Sequence, residues 1–180
     1  MRERIRQNGG RAFTNAMTFN LMIDVKSETE PTYATLRKVL QGYTNILTTF
    51  TVTNITTNAL AIILTGNRAT GTVSAEPQRF VSIDGRFMDL NTNTSSQLIP
   101  LISENWTKYF KWRGMGSFPE VEQRQLRAWV ENVHREGRRI RFWAIPDNEN
   151  GWRELQAAGV DLINTDNLAG LANFLRSTKH

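Results

Sequence analysis

The run Phe19-Asn20-Leu21-Met22-Ile23-Asp24-Val25-Lys26 sets a carboxylate and an ammonium two residues apart at the end of an apolar, strand-like stretch. Side chains alternate across a strand, so Asp24 and Lys26 share one face while Ile23 and Val25 take the other. An acid and a base at the C-terminal end of a buried strand suit a site that handles an anion. A structural ion pair closing the strand end is the alternative. Polar groups follow other apolar runs too: Asn67-Arg68 after Leu64, Asp84-Gly85-Arg86 after Ile83, and Arg141 with Trp143 on one face of the run Ile140 to Ile145. Arginine is well suited to bidentate contact with oxyanions. Solvated turns have the same composition, and an arbitrary strand tryptophan is more often core than pocket.

The elements that must position these residues alternate in type. Phe19 to Lys26 reads as a strand, and Thr32 to Gln41 as a helix with Tyr33, Leu36, Val39 and Leu40 on its apolar side, Pro31 at its start and Gly42 at its stop. Thr44 to Asn58 reads as loop with some extended structure. Ala59 to Thr65 is a continuous apolar run, as in a strand buried on both faces. Phe80 to Asp84 is a third strand and Leu98 to Ser103 a fourth, with Pro100 inside it. Ser117-Phe-Pro-Glu120 has the form of a capping box, and Val121, Leu126, Trp129, Val130 and Val133 make the stripe of a helix stopped by Gly137. Ile140 to Ile145 is a fifth strand, a short helix spans Trp152 to Ala158, and Val160 to Asn164 is a sixth strand. Asp166 is then placed to cap a final helix bearing Leu168, Leu171, Ala172 and Leu175.

Strands alternating with helices imply parallel pairing and an α/β fold. No glycine-rich strand-to-helix loop of the doubly wound nucleotide-binding kind is present, whereas polar residues follow nearly every strand, as in barrel enzymes. The expectation is therefore one domain over residues 1–180, a TIM-type (β/α) barrel left incomplete at six strands.

With 39% hydrophobic and 22% charged residues among 180, the chain has an ordinary globular composition. It contains no cysteine, which excludes disulfides and thiolate metal sites. No apolar run is long enough to span a bilayer, and the N-terminal Met1-Arg-Glu-Arg leads into no signal-like segment, so the compartment is left unknown. The net charge is +5, with much of the basic excess between Arg124 and Arg141. Those arginines fall largely on the solvent side of one helix without an aromatic-lined groove, so no nucleic-acid partner is expected. Trp106 and Trp112, close to Lys108 and Lys111, suit either a lid or simple packing, and packing is favoured.

The ordered set Ile23-Asp24-Val25-Lys26, Leu64 to Arg68, Ile83 to Arg86, Phe142 to Asn148 and Gly159 to Asp166 resembles the phosphatidylinositol-specific phospholipase C-like phosphodiesterase superfamily, which includes the glycerophosphodiester phosphodiesterases. In those enzymes the third barrel strand ends in acid-x-Lys, the seventh carries a pocket tryptophan, and the eighth closes with Gly-Val-Asp and Thr-Asp. The resemblance thus makes the six strands similar to strands three to eight. It places the family's catalytic histidines and further acidic metal ligands on strands expected before Met1, in a truncated frame or a degenerate relative, and full-length relatives as secreted proteins. The two histidines present, His134 on the long helix and His180 at the end, do not fit those roles.

What the resemblance implies is a phosphoric diester hydrolase acting on glycerophosphodiesters or phospholipid headgroups. Lys26, Arg68 and Arg86 would be its catalytic cations on the phosphate, and Arg141, Trp143 and Asn67 its substrate contacts. Asp24 and Asp84 would be ligands of a divalent metal, Mg²⁺ or Ca²⁺, in a site incomplete within this chain. The alternative is a non-catalytic partial barrel that binds anions or a partner chain, self-association through the open barrel edges included.

Overall fold

The computed structural model describes residues 1–15 and 17–178; His180 lies outside the described residues. The chain divides into two compact units, Met1–Asp84 with Gln97–Ile99 and Gly85–Ser96 with Pro100–His180.

Unit 1 contains α1 (Arg2–Gln7), β1 (Phe19–Val25), α2 (Thr29–Gln41), β2 (Thr49–Thr51), β3 (Ile55–Thr56), β4 (Leu60–Gly66), α3 (Thr70–Ala75), β5 (Gln78–Arg79) and β6 (Val81–Gly85). Its main sheet is parallel, with β4 between β1 and β6. The unbroken apolar sequence of β4 follows from that central place, since Leu60, Ile62, Ile63 and Leu64 are each buried. Tyr33 and Leu40 of α2 are buried, whereas Val39, expected on the same stripe, is 53% exposed. The threonine-rich stretch read as loop with some extended structure holds β2 and β3, which join β5 in a small antiparallel sheet.

Unit 2 contains a 3₁₀ turn (Phe87–Asp89), β7 (Leu101–Asn105), α4 (Trp106–Tyr109), α5 (Glu120–Arg135), β8 (Arg139–Trp143), α6 (Glu149–Ala157), β9 (Leu162–Ile163) and α7 (Leu168–Ser177). β8 runs parallel between β7 and β9. The core of this unit is aromatic. Trp106 is fully buried, stacked on Phe110 with ring centroids 4.0 Å apart and set edge-on against Phe142 at 5.7 Å. Trp112 is also buried and stacks on Phe118 at 4.7 Å, so both tryptophans belong to the packing and form no lid.

Two helix starts differ from the sequence reading. The capping box at Ser117 does not form: Pro119 is the N-cap of α5 and no side chain caps it. Glu122 in the first turn instead accepts the backbone N–H groups of Lys111 and Trp112, each at 3.2 Å, tying the α4–α5 connection to the helix. At α7 the cap is Asn167, which accepts from the Gly170 amide at 3.0 Å, and not Asp166. The Asp166 amide instead donates to Asp147 Oδ2 at 2.8 Å.

Each unit thus has three parallel strands in chain order with helices between strands, which gives the α/β class expected from the sequence, in the strand–helix alternation of a TIM-type barrel that has six strands where a closed one has eight. No helix among the described residues is long and apolar enough to cross a membrane.

Candidate functional site

In unit 1 the parallel register sets Asp24 beside Thr65. The pairing of Leu64 with Ile83 sets Thr65 beside Asp84 in turn. Equivalent positions on neighbouring parallel strands share a face, so Asp24, Thr65 and Asp84 form a polar row at the C-terminal ends of β1, β4 and β6. Thr65 Oγ1 donates to Asp84 Oδ2 at 2.7 Å, and Asp84 is 1% exposed. Arg68 Nη1 donates to the Asp84 carbonyl. Asn67 holds the neighbouring loop: its amide donates to Val25 O at 2.8 Å and its side chain to Ser27 O at 3.0 Å. Sequence reasoning placed Asp24, Lys26, Asn67, Arg68 and Asp84 here, but it passed over Thr65, because strand register cannot be read from one strand.

Lys26 Nζ lies 2.8 Å from Asp24 Oδ2, with the two side chains 81% and 50% exposed. A pair so solvated is worth about 0.2–1 kcal/mol, too little to hold the fold. Its ammonium already engages the carboxylate that a metal would need. Among the described residues no group of three or more His, Cys, Asp or Glu side chains is placed to hold a metal ion. Asp24 and Asp84 by themselves therefore do not fit a divalent cation, which takes six or more oxygens, water included, around several protein donors.

In unit 2, Arg86 follows β6, with its amide donating to Asp89 Oδ2 at 2.7 Å and its guanidinium to Gly85 O at 2.8 Å. Glu104, buried on β7, accepts from the Phe87 amide at 2.8 Å, which fixes the start of the 3₁₀ turn. Arg141 sits in register with Ser103 on one side and Leu162 on the other. Its guanidinium donates to Asn164 Oδ1. Trp143, on the same face of β8 as Arg141, is 41% exposed and is no core residue. His134 lies on α5, its Nε2 2.8 Å from Asp161 Oδ2, which also accepts the Ile140 amide at 2.8 Å. That places the histidine at the N-terminal end of β8, opposite the end where barrel enzymes hold their catalytic groups.

Sequence reasoning gave no role to Asn164 or to Asp147. Asp147 accepts three hydrogen bonds: from Thr165 Oγ1 at 2.6 Å, from the Asp166 amide at 2.8 Å and from the Trp152 indole N–H at 2.9 Å. Partial burial pushes its carboxyl up, but the hydrogen bonds from Thr165, the Asp166 amide and Trp152, with the nearby Asn167 amide, outweigh this and hold it below the usual carboxylate range. A depressed folded pKa contributes stability that is whole above the unfolded value, 3.8, and is lost as pH falls through the lower folded value. Asp147→Asn should accordingly be less stable than the parent near neutrality. In urea titrations the gap should close as pH falls below the usual carboxylate range, and a gap independent of pH would count against this sign.

Residues 139–169, from β8 to the first turn of α7, match the sequence model of the glycerophosphoryl diester phosphodiesterase family. No curated protein and no solved structure matches the chain. The matched stretch includes two of the five segments on which the resemblance rested, Phe142 to Asn148 and Gly159 to Asp166. It also contains Arg141, Trp143, Asp147 and Asn164. The likeness to glycerophosphodiester phosphodiesterases is thus confined to the last two strands and the loops that follow them.

Proposed function

We propose that the chain binds phosphodiesters of the glycerophosphodiester or phospholipid-headgroup class and, by itself, does not hydrolyse them. The observation that carries this reading is the family match over residues 139–169, which contains a cation, Arg141, and an exposed ring, Trp143, on one face of β8. A guanidinium neutralises non-bridging phosphate oxygens, and an indole covers the apolar part of an attached alcohol. Arg86, after β6, is a further phosphate cation within unit 2. In unit 1, Lys26 and Arg68 are the corresponding cations, with Asn67 as a polar contact at the same strand ends.

Cleaving the ester calls for an acid and a base on the entering and leaving oxygens. His134 is held by Asp161 at the other end of β8. Asp24 and Asp84 would need further oxygen donors before they held a cation.

Titration of glycerophosphocholine into the chain, with and without Mg²⁺ or Ca²⁺, tests the reading. Arg141→Ala should weaken binding by about 10- to 100-fold, the loss of one charge-assisted hydrogen-bonding group. A chromogenic phosphodiester should not be turned over. No binding by the parent chain would remove the proposal, and robust metal-dependent turnover lost in Lys26→Ala would replace it with an enzyme.

A further inference from the structure

We infer that Asp147 is a positioning residue, whose carboxylate clasps the loop after β8 to the loop after β9 and so fixes Trp143 against Asn164 and Arg141. The inference rests on the phosphodiester-binding reading, because it names what sets the geometry of the groups that would contact the ligand.

Trp143 is followed by Ala144 at φ +54°, in the left-handed region that a non-glycine residue rarely adopts. Such a conformation persists only where its surroundings over-determine it. Here they do. Ile145 is buried at 8% exposure. A Cβ on Gly114, which itself has φ +84°, would stand 2.7 Å from Pro146 Cβ and 2.6 Å from Asn148 Nδ2. A Cβ on Gly151 would collide with the Pro146 carbonyl. Asn150 Nδ2 reaches Gly114 O at 3.2 Å. The turn carrying Trp143 is therefore closely held on its α6 side.

Asp147 reaches to the other side. Oδ1 takes the Thr165 hydroxyl and the Trp152 indole, and Oδ2 takes the Asp166 amide. Thr165 and Asp166 directly follow Asn164, the acceptor of the Arg141 guanidinium. Helix capping does not account for this carboxylate, since Asn148 caps α6 through the Gly151 amide and Asn167 caps α7 through the Gly170 amide. Charge-assisted bonds are about twice as strong as neutral ones, so exchanging the carboxylate for a carboxamide weakens the clasp without removing bulk.

The experiment uses the full chain labelled with ¹⁵N. In Asp147→Asn the Trp152 indole signal and the Thr165 and Asp166 amides should shift, and the Trp143 indole and Asn164 side-chain signals should shift with them. The Trp129 indole, on α5, should stay in place. Affinity for glycerophosphocholine should fall about tenfold, through displacement of Trp143 and Arg141 and not through a lost contact of Asp147 itself. Thr165→Val, which removes a single donor, should give the same pattern at smaller amplitude and serves if Asp147→Asn does not fold. Shifts confined to Trp152, Thr165 and Asp166, with Trp143 and Asn164 unmoved, would overturn the inference. A parent chain that does not bind glycerophosphocholine removes the phosphodiester reading instead, and the Trp143 and Asn164 signals still decide the clasp.

Discussion

Trp106→Ala is expected to destabilise the protein by about 3–5 kcal/mol, the range for removing a large aromatic side chain from a packed core. The side chain is 0% exposed and meets Phe110 at 4.0 Å, Phe142 and Phe118 at 5.7 Å each, and Trp112 at 6.5 Å between ring centroids. Its indole N–H donates to Trp112 O at 3.0 Å. That carbonyl also accepts from Arg113 Nη1 at 3.1 Å, so truncation leaves it a partner. The loss is therefore one of packing and cavity, not of an orphaned polar group. Trp106→Phe keeps a ring in place and should cost much less. Against a total stability of about 5–15 kcal/mol for a domain, the alanine variant should show a large fall in the urea midpoint. Equal losses in the alanine and phenylalanine variants would show that the hydrogen bond, and not the ring stack, is what Trp106 supplies.

The same residue marks where the sequence was legible. The periodic patterns placed β1, β4 and β6 to β9 within a few residues, because an apolar run between polar ends is a local property. Glu120 to Arg135 was similarly readable as a helix. Its start was not: Ser117 has the composition of a cap, but Pro119 takes that position and Glu122 is drawn to the Lys111 and Trp112 amides. Val121, read as part of the apolar stripe, is 67% exposed for the same reason, since the first turn faces the α4–α5 connection and solvent.

For the candidate site, the sequence identified Asp24, Lys26, Arg68, Arg86, Arg141 and Trp143 as polar or aromatic groups at strand ends. Which of them share a row depends on register between strands. Thr65 stands between Asp24 and Asp84 only because β4 pairs with both neighbours in one particular register. Asp147 and Asn164 were visible as letters in quoted segments, yet their partners lie on other elements and no spacing rule connects them.

Gly66→Ala should give the second large effect, in unit 1. Gly66 has φ +74°, a conformation costing an alanine about 1–2 kcal/mol. A Cβ there would also stand closer than 3.0 Å to Asp24 Oδ1 and to the Val25 carbonyl. The second of these is backbone and cannot swing aside. It already accepts the Asn67 amide at 2.8 Å, so relief means prising apart the loops after β1 and β4. The total cost should exceed the conformational penalty alone, and Asp24 should leave its place beside Thr65. Gly71→Ala is the control: it lies in α3 with nothing within 4 Å of the added Cβ. There alanine should be neutral or stabilise by up to about 1 kcal/mol. Urea midpoints of the two variants decide it. If Gly66→Ala is as well tolerated as Gly71→Ala, the close approach at the end of β1 is not a constraint on the folded chain.

The carboxylate of Asp147 has a further consequence for how unit 2 meets a ligand. Barrels of this kind often seat a phosphate on the backbone donors after their last strands, where helix N-termini add positive potential. In this chain the donor ahead of α7, the Asp166 amide, is already taken by Asp147, and the Gly170 amide is taken by Asn167. The resident negative charge makes that corner self-neutralised. On the phosphodiester-binding reading, recruitment of an anion there would fall to side-chain guanidinium groups, whose long-range pull is attenuated by dissolved ions over about 8–10 Å. If the chain binds phosphodiesters as proposed, affinity in this half of the molecule should fall with rising ionic strength.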